Sequence, residues 1–231
     1  MNYEEILKNE KKSKILVRIV AHLMGDGCVT KRYFAYYNKD KILLENFEKD
    51  VLNLFKKIHF TRGRTNSGTS FLMIQNKPLL NFLKSLISDY RSHHLYLPKF
   101  IKNKEFQKEF SQSFYDDEGC VALRIFKKTK ETKETKEIKR NVTLSSNSLK
   151  LIQEIKQILK NTFEIESNKI SKYVKKRDSK IYINYVLSIT GRDNFVKFRD
   201  KINFTHPTKS RTLDKMIASY IRIVKFKNKD K

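Results

Sequence analysis

Two stretches of the sequence share one pattern, an apolar run that ends on an acid, a glycine, a cysteine and a valine. The first is IVAHLMGDGCV, residues 19–29, and the second is SQSFYDDEGCV, residues 111–121. Their acids, Asp26 and Glu118, are 118 − 26 = 92 residues apart in a chain of 231. Apolar spacing before the acid predicts a helix, and the glycines predict its end. The sequence therefore predicts two copies of one unit, each with an acid where a helix ends.

The residues that follow each acid repeat the same order of elements. YYNKDKILLENFEKDVLNLF, residues 36–55, aligns with LSSNSLKLIQEIKQILKNTF, residues 144–163. Each stretch reads as a strand end followed by an amphipathic helix that closes on a phenylalanine. A long unit that occurs twice predicts a duplicated domain with pseudo-twofold symmetry, since short repeats stacked many times are what build solenoids. We place the two units at residues 1–101 and 102–231.

Local signals predict the order helix, hairpin, helix, hairpin, helix for the first unit. Ser13 is a candidate N-cap for the first motif helix, and Asp40 leads the next amphipathic helix. Pro78 opens a further helix, because proline is best tolerated in a first helical turn. Asn103 is placed to cap the helix that carries the second acid.

One insertion distinguishes the second unit from the first. It is KKTKETKETKEIKR, residues 127–140, whose TKE triplets match neither the helical nor the strand period well. Its composition predicts a solvated hairpin tip. The alternative is a basic finger that lies along a phosphate backbone.

The charge of the chain indicates the class of its partner. Lys and Arg number 50 against 25 Asp and Glu, which gives a net charge of +25 and an isoelectric point near 9.9. So basic a protein favours a polyanion, and nucleic acid is the first candidate. A membrane is disfavoured because no apolar run reaches the roughly 18 residues of a spanning helix. The charged N-terminal residues lack a signal-peptide core, so we expect the protein to stay in the compartment where it is made.

The cysteines and histidines predict no zinc site and no disulfide framework. There are two cysteines and five scattered histidines, which match no zinc-ligand spacing. Cys28 and Cys120 are therefore interpreted as small packed residues.

An acid at the C-terminal end of a helix suits a divalent cation. The helix end carries partial negative charge and free carbonyl oxygens, which with a carboxylate make the hard-oxygen site that Mg²⁺ prefers. If the two helices pack along their small residues, both acids converge at the pseudo-dyad, and bound metals can activate water and stabilise the leaving oxygen of a phosphodiester. Either acid taken alone is equally well explained as an ordinary helix end.

The paired stretches resemble the two motifs of a single-chain LAGLIDADG homing endonuclease, and the resemblance extends over nearly the whole chain. It implies an α+β fold of two pseudo-symmetric αββαββα units, with paired central motif helices and two saddle-shaped antiparallel sheets that lie in the major groove of a long DNA site. It also implies a monomeric, metal-dependent double-strand DNA endonuclease that uses Mg²⁺, with Mn²⁺ as a substitute. Such an enzyme acts on genomic DNA in the cytoplasm or in an organelle.

The resemblance implies roles for specific residues at the centre. Asp26 and Glu118 match the catalytic metal-binding acids, and Gly25 and Asp117 match positions whose backbone carbonyls also reach the metal. The chain departs from the family pattern at Met24, where an acid is common, and at Asp117, where a small residue usually lets the helices approach.

Basic residues near the scissile phosphates are a further expectation from the resemblance. Lys99 and Lys209 lie at roughly equivalent places after the second helix of each unit, and Lys39 follows the first hairpin. Each of these lysines is also explained as a surface charge in a lysine-rich chain.

The sheets are expected to bind DNA through side chains that alternate along the strands. Arg and Lys suit guanine edges and Asn suits adenine, while most lysines hold phosphates. In the first unit the expected face carries Phe34 as well as predicted DNA contacts. The predicted DNA contacts are Arg32, Tyr36, Arg62, Arg64, Arg124, Lys127, Lys128, Arg140, Asn141, Thr143, Ser145, Lys172, Lys175, Lys176 and Arg177.

Other functions keep the fold or the charge without the cleavage. An intron maturase that binds structured RNA and a non-cleaving DNA-binding protein are both compatible with the two motifs. A general basic RNA-binding protein explains the charge but not the duplicated motif. An intein is not favoured, because Met1 is not a nucleophile and the sequence ends KNKDK without a terminal asparagine.

Overall fold

The computed structural model describes residues 3–87, 89–130, 133–177 and 180–227, with side chains described for 3–87, 89–124, 138–176 and 181–220. The described residues form eight helices and eight strands. The helices are α1 (Tyr3–Lys8), α2 (Glu10–Met24), α3 (Lys41–Phe55), α4 (Lys77–Leu86), α5 (Lys104–Glu118), α6 (Leu149–Phe163), α7 (Arg192–Lys201) and α8 (Pro207–Lys227). The strands are β1 (Gly27–Val29), β2 (Phe34–Asn38), β3 (Thr61–Arg64), β4 (Ser70–Ile74), β5 (Gly119–Lys130), β6 (Lys133–Ser146), β7 (Ser171–Arg177) and β8 (Lys180–Ile189).

The strands form two four-stranded antiparallel sheets with the same topology. The strand order is β1-β2-β4-β3 in the first sheet and β5-β6-β8-β7 in the second. Each motif helix leads directly into the first strand of its sheet, and the helices of each unit pack on one face of it. The predicted α+β architecture of two related units with paired motif helices is confirmed. The division at residue 101 stays a prediction.

The sequence alignment of the two units is confirmed by the position of their elements. Helices α3 and α6 both have 15 residues and end on Phe55 and Phe163, which are 163 − 55 = 108 residues apart. The acids are 92 residues apart, so 108 − 92 = 16 residues have been added between them. These residues lengthen the β5–β6 hairpin, whose strands run past the length of β1 and β2. The insertion was therefore correctly expected in a hairpin.

Side-chain caps fix where most helices begin. Asp40, Asn76 and Asn103 each accept a backbone N–H from the first turn of the following helix, and the caps at Asp40 and Asn103 match the prediction. The predicted cap at Ser13 is wrong. Helix α2 begins at Glu10 with Asn9 as its cap, and the Ser13 hydroxyl is buried, where it donates to the carbonyl of Ile6. A better cap four residues upstream extends the helix.

Helices α2 and α5 pack against each other at the centre of the molecule, between the two units. Their contacting faces are buried and include small side chains, among them Ala21, Ser111 and Ser113. Small residues let helix axes approach closely, because little side-chain volume separates the backbones. The buried apolar residues of both units form one continuous cluster around this pair. Over the ranges given above, no helix combines the length and the hydropathy needed to cross a membrane.

Candidate functional site at the ends of the paired motif helices

The two acids lie at the same end of the paired helices. Glu118 is the last residue of α5, and Asp26 follows α2 by two residues. The ends are in close approach: a Cβ atom built on Gly25 would lie 2.8 Å from the Cβ of Asp117. Asp117 therefore does not hold the helices apart, because the opposing residue is a glycine. The large side chain at Asp117, which departs from the family pattern, is therefore accommodated by Gly25 on the opposite helix.

The acids influence each other electrostatically. Partial desolvation by the protein and the negative charge of Asp117 raise the pKa of Asp26 to about 6, although its side chain opens to solvent. Desolvation and the charges of Asp26 and Asp117 raise the pKa of Glu118 to about 7. Both shifts mean that the protein alone does not neutralise these carboxylates. Among the described residues, Lys209 and His22 are the cations that oppose the shifts.

The carboxylate of Asp117 is buried, and both of its oxygens are hydrogen-bonded to residues of the first unit. Its side chain has no exposed surface, and it receives a hydrogen bond from the Tyr36 hydroxyl at 2.6 Å. His22 Nδ1 lies 2.9 Å from its other oxygen. Burial alone would lower the pKa of His22, but the charge of Asp117 and the hydrogen bond to it raise the pKa above its ordinary value. The side chain of Asp117 is thus committed to His22, Tyr36 and, at 3.4 Å, the amide of Asn38, and its backbone carbonyl is left for the predicted metal role.

Asn38 joins this buried group to the first acid, a contact that the sequence prediction missed. Its Nδ2 donates to Asp26 Oδ2 at 3.1 Å and to the Tyr36 hydroxyl at 3.0 Å. Its Oδ1 accepts the backbone N–H of Asp40 at 2.9 Å, which fixes the orientation of the amide. The available signal was its position at the end of a strand two residues before a helix cap.

Lys209 is the predicted lysine that lies at the paired acids. Its Nζ donates to the carbonyls of Tyr115 and Asp116 in the last turn of α5, at 3.3 and 2.5 Å. Its charge lowers the pKa of both Asp26 and Glu118. Desolvation by the surrounding protein in turn lowers the pKa of Lys209 itself.

Asp116 holds the segment that delivers this lysine. The buried carboxylate of Asp116 accepts the backbone N–H groups of Thr205 and His206 at 3.1 Å each, and the Thr205 hydroxyl also donates to it. His206 Nε2 lies 3.1 Å from Asp40 of the first unit. The start of α8 is therefore fixed against both units, next to the site.

Within the described residues, the other two predicted lysines make no contact with the acids. Lys39 is exposed in the loop between β2 and α3, and Lys99 is exposed in the segment that precedes α5. Their proposed role at the scissile phosphates stays a prediction.

The residues at the helix ends fit a divalent cation. The fit rests on two neighbouring carboxylates whose pKa values are raised by desolvation and by nearby negative charge, without a full positive counter-charge. Within the described part of the chain, no three His, Cys, Asp or Glu side chains converge on one point. A metal here would take one or two carboxylate oxygens and complete its shell with carbonyl, water and phosphate oxygens, as Mg²⁺ commonly does.

The face of each sheet opposite the helices is its open face. In the second sheet the strand register places Arg124, Asn141, Thr143 and Ser145 together on this face, because Val142 and Leu144 alternate onto the buried face. Lys175 shares the open face, since it pairs with Tyr182. Lys172 and Lys176 point to the helix side, opposite Tyr185 and Ile181. Arg124, Asn141, Thr143, Ser145 and Lys175 are thus available to a ligand that lies across the open face of the second sheet.

The prediction of which side chains of the first sheet lie on its open face is wrong, because the alternation along the strands is shifted by one position. Phe34 and Tyr36 are fully buried, so Tyr36 cannot contact DNA. Arg62 pairs with buried Leu72 and binds Glu48 of helix α3, and Arg64 shares its side of the strand. The residues on the open face are all uncharged, namely Cys28, Ala35, Tyr37, Thr61, Gly63, Phe71 and Met73, of which Ala35 is covered by its neighbours. A shift of one position exchanges the two faces of a strand, and the arginines favoured the wrong register.

Other members of the predicted contact set have different surroundings. Arg140 is turned toward α8, where its Nε donates to Ser219 Oγ at 2.7 Å and its guanidinium lies 4.2 Å from the ring centroid of Tyr220. Its predicted DNA contact is not supported by this position. Arg32 is exposed in the β1–β2 turn. Lys127, Lys128 and Arg177 lie outside the residues whose side chains are described.

Comparison with known families and curated proteins identifies the motif. A family model described as a LAGLIDADG-like domain matches residues 105–203. The replication factor C small subunit of Methanocaldococcus jannaschii is 26% identical over 247 aligned residues, which cover 96% of this chain and 12% of that protein. The replicative DNA helicase DnaB of Synechocystis sp. is 24% identical over 218 residues, covering 86% of this chain and 23% of the helicase. The chain spans less than a quarter of the length of either relative.

Solved structures show the same fold. Mesophilic variants of the homing endonuclease I-DmoI match with a TM-score of 0.56 and 17% identity, over 87% of this chain and 97% of theirs. The N-terminal LAGLIDADG domain of DUF199/WhiA matches with a TM-score of 0.51 and 9% identity, over 87% and 90%. At these identities the likeness establishes architecture and not activity. With two motif helices, two matching sheets and these likenesses, the chain is a two-motif protein of the LAGLIDADG fold.

Proposed function

We propose that this protein is a site-specific double-strand DNA endonuclease of the homing type, which uses a divalent metal at the ends of α2 and α5. The observation that carries the proposal is the pair of acids, Asp26 and Glu118, which lie at the closely approaching ends of α2 and α5 without a full counter-charge. I-DmoI, which shares the fold, is known in complex with DNA and Mn. The proposed partner is double-stranded genomic DNA with a long site, bound by a monomer in the cytoplasm or in an organelle.

The symmetry of the site matches the symmetry of a duplex. The two units offer one acid each on either side of a pseudo-twofold axis, and the two strands of DNA offer one phosphodiester each across a similar axis. When bound, Mg²⁺ or Mn²⁺ activates a water molecule and offsets charge on the leaving oxygen. Asp26 and Glu118 would hold the metal, with the Gly25 and Asp117 carbonyls as the further predicted ligands.

Other residues of the site act on the acids and on the phosphate. Asn38 orients Asp26 through its amide hydrogen bond. The Lys209 ammonium, held by the last carbonyls of α5, places a positive charge where a phosphate would meet the helix ends. The open face of the second sheet supplies Arg124, Asn141 and Thr143 for contacts in the major groove.

Cleavage of DNA with Mg²⁺ tests the proposal. A substrate selected from a randomised duplex library, or the intron-less form of the gene's own locus, should be cut in both strands by the parent protein. Asp26→Asn and Glu118→Gln should each abolish the double-strand break, whereas Asp214→Asn, an exposed acid on α8, should leave it intact. Binding to the selected DNA without any cut under Mg²⁺ or Mn²⁺ would assign the protein to the non-cleaving DNA-binding alternative. Stronger binding to structured intron RNA than to any duplex would instead favour a maturase.

The affinity for DNA should depend steeply on salt. Each neutralised phosphate contributes a slope of about 0.9 in log K against log salt concentration. With a net charge of +25 and a long interface, several phosphates should contribute. A shallow slope in a fluorescence-anisotropy titration would argue against a long DNA site.

A further inference from the structure

The hydrogen bonds around Asp117 reach only one of the two acids. From the Asp117 carboxylate the contacts run to Tyr36, from Tyr36 to Asn38, and from Asn38 to Asp26, with distances of 2.6, 3.0 and 3.1 Å. Asn38 Nδ2 also lies 3.4 Å from Asp117 Oδ1, a longer and weaker contact. His22 closes the other side of the carboxylate at 2.9 Å. A residue of the second unit thus completes a network that belongs otherwise to the first.

Among the described residues of the second unit, the corresponding positions do not form an equivalent network. The motif offset of 92 residues places Phe114 where the first unit has His22. The strand register matches Tyr36, which pairs with Gly27, to Leu144, which pairs with Gly119. Asn38 corresponds to Ser146, because both accept a backbone N–H from the cap residue of the next helix.

We propose that Asp117, Tyr36 and Asn38 form a positioning network for Asp26 that has no counterpart at Glu118, so that cleavage of the two DNA strands depends on different residues. This inference rests on the proposed endonuclease function. Asp117 and Tyr36 act through Asn38 and do not touch the reacting phosphate. They set the direction of the Asp26 carboxylate, whereas Glu118 depends on the rigid end of its own helix.

The geometry gives this network its rigidity. Asn38 cannot turn its amide, because Oδ1 is held by the backbone of Asp40 while Nδ2 faces Asp26. Burial of Tyr36 and the charge of Asp117 keep the phenol protonated, since both raise its pKa above the ordinary value, so the hydroxyl remains a donor. Because the Tyr36 hydroxyl and the Asp117 carboxylate are buried and hydrogen-bonded, each is held in one orientation, and they hold the Asn38 amide in turn.

Strand-resolved cleavage of the selected duplex tests the inference. Each strand carries its own end label, and the initial rate is measured for each strand with Mg²⁺. Asp26→Asn first identifies the strand that depends on Asp26. Tyr36→Phe, which keeps the ring in the core and removes the hydroxyl, should slow that strand by roughly 10-fold or more and leave the other within about twofold.

The chain offers a matched control. Tyr115 is also fully buried next to an acid-bearing helix end, but its hydroxyl has no hydrogen-bond partner among the described residues. Tyr115→Phe should leave the ratio of strand rates unchanged. Asn38→Ala serves as a second variant at a partly exposed position, and it should reproduce the strand bias of Tyr36→Phe.

A readout independent of cleavage accompanies the rates. Calorimetric titration of Mn²⁺ into the DNA-bound protein should show weaker Mn²⁺ binding in Tyr36→Phe and unchanged Mn²⁺ binding in Tyr115→Phe. Equal slowing of both strands by Tyr36→Phe, or an unchanged ratio, would overturn the positioning network. If the parent protein binds the duplex but cuts neither strand, the proposed function fails instead, and the two failures are distinguishable.

Discussion

At the scale of single residues, Gly25 and Asp117 occupy the same position of the two motif helices and face each other. A methyl group on Gly25 would lie 2.8 Å from both Cβ and Oδ2 of Asp117, closer than such atoms can approach. We expect Gly25→Ala to lower the free energy of unfolding by about 1 to 3 kcal/mol, because the helix ends must separate. Urea denaturation measures the change.

The same substitution in an Asp117→Gly background provides the control. There the added methyl group meets open space, so the cost of Gly25→Ala should largely disappear, and the double-mutant cycle should give a coupling energy of about 1 kcal/mol or more. An equal cost in both backgrounds would show that the two residues do not interact.

Glu118 makes the metal-free protein less stable as the pH rises. Its pKa is about 7 in the folded state against an ordinary 4.5, so between these values the folded state holds a proton that the unfolded state has lost. Unfolding then becomes more favourable as the pH increases through this window. Glu118→Gln should therefore raise the Tm of the metal-free protein at pH 8 by about 2 to 4 °C, which corresponds to about 1 kcal/mol after allowance for solvent screening.

The pH dependence separates this effect from a general change in packing. At pH 4.5 the folded protein already carries the proton, and Glu118→Gln should have little effect on the Tm measured by calorimetry. Glu45→Gln, at an exposed position of α3, is the control and should change the Tm little at either pH. A gain for Glu118→Gln that is equal at pH 4.5 and pH 8 would contradict the assignment.

At the scale of helices and strands, the sequence predicts best where one local signal decides. Asp40 and Asn103 were found as caps because a short polar side chain precedes an amphipathic run. The start of α2 was missed because Asn9 lies inside a charged segment that hides the cap, and Ser13 is a plausible cap in its own right.

The faces of a strand are harder to predict, because side chains alternate between two faces and an error of one position assigns every residue to the wrong face. On β6 of the second sheet the alternation of Val142 and Leu144 with polar residues decided the face correctly. On β7 of the same sheet, the predicted contacts Lys172 and Lys176 lie on the helix side, so their assignment was wrong. In the first sheet the adjacent tyrosines Tyr36, which is buried, and Tyr37, which lies on the open face, are not distinguished by the local sequence. The arginines of β3 favoured the wrong face, because they lie on the helix side.

Two lysines on one strand test the assignment of the open face. Lys175 and Lys176 are both exposed neighbours on β7, but the register places Lys175 on the open face and Lys176 on the helix side. Lys175→Ala should weaken DNA binding and reduce the salt slope by about one, with a much smaller change for Lys176→Ala. Fluorescence anisotropy at several salt concentrations measures both. The reverse order would show that DNA approaches from the other side.

At the scale of the whole molecule, Arg18 joins the two units midway along the paired helices. Its guanidinium makes two 2.7 Å hydrogen bonds to Asp50 of α3 and one of 2.9 Å to Glu109 of α5. Arg18→Met should lower the free energy of unfolding by about 2 kcal/mol, because two largely buried carboxylates lose their partner. Chemical denaturation measures the loss, with exposed Arg32→Met as the control. Equal stability of the two variants would show that Arg18 contributes nothing.

The composite site was predictable only in part from the sequence. The duplicated motif placed Asp26 and Glu118 together. The resemblance suggested both Lys99 and Lys209 near them, and of these two Lys209 contacts the end of α5. The network of His22, Tyr36 and Asp117 was not predictable, because its members are 14 to 95 residues apart in the chain and meet only when the helices pack. Long-range polar contacts of this kind leave no periodic signal in one sequence.

The opposed Gly25 and Asp117 also make the two units non-interchangeable. A homodimer of two first units would set glycine against glycine and leave a gap at the helix ends, with His22 and Tyr36 facing no carboxylate. A homodimer of two second units would press two buried Asp117 carboxylates together, with no histidine or tyrosine to receive them, and like charges at that distance repel strongly. Each half is therefore expected to pair with the other half in preference to a copy of itself, and one chain that carries both halves supplies the two in equal number.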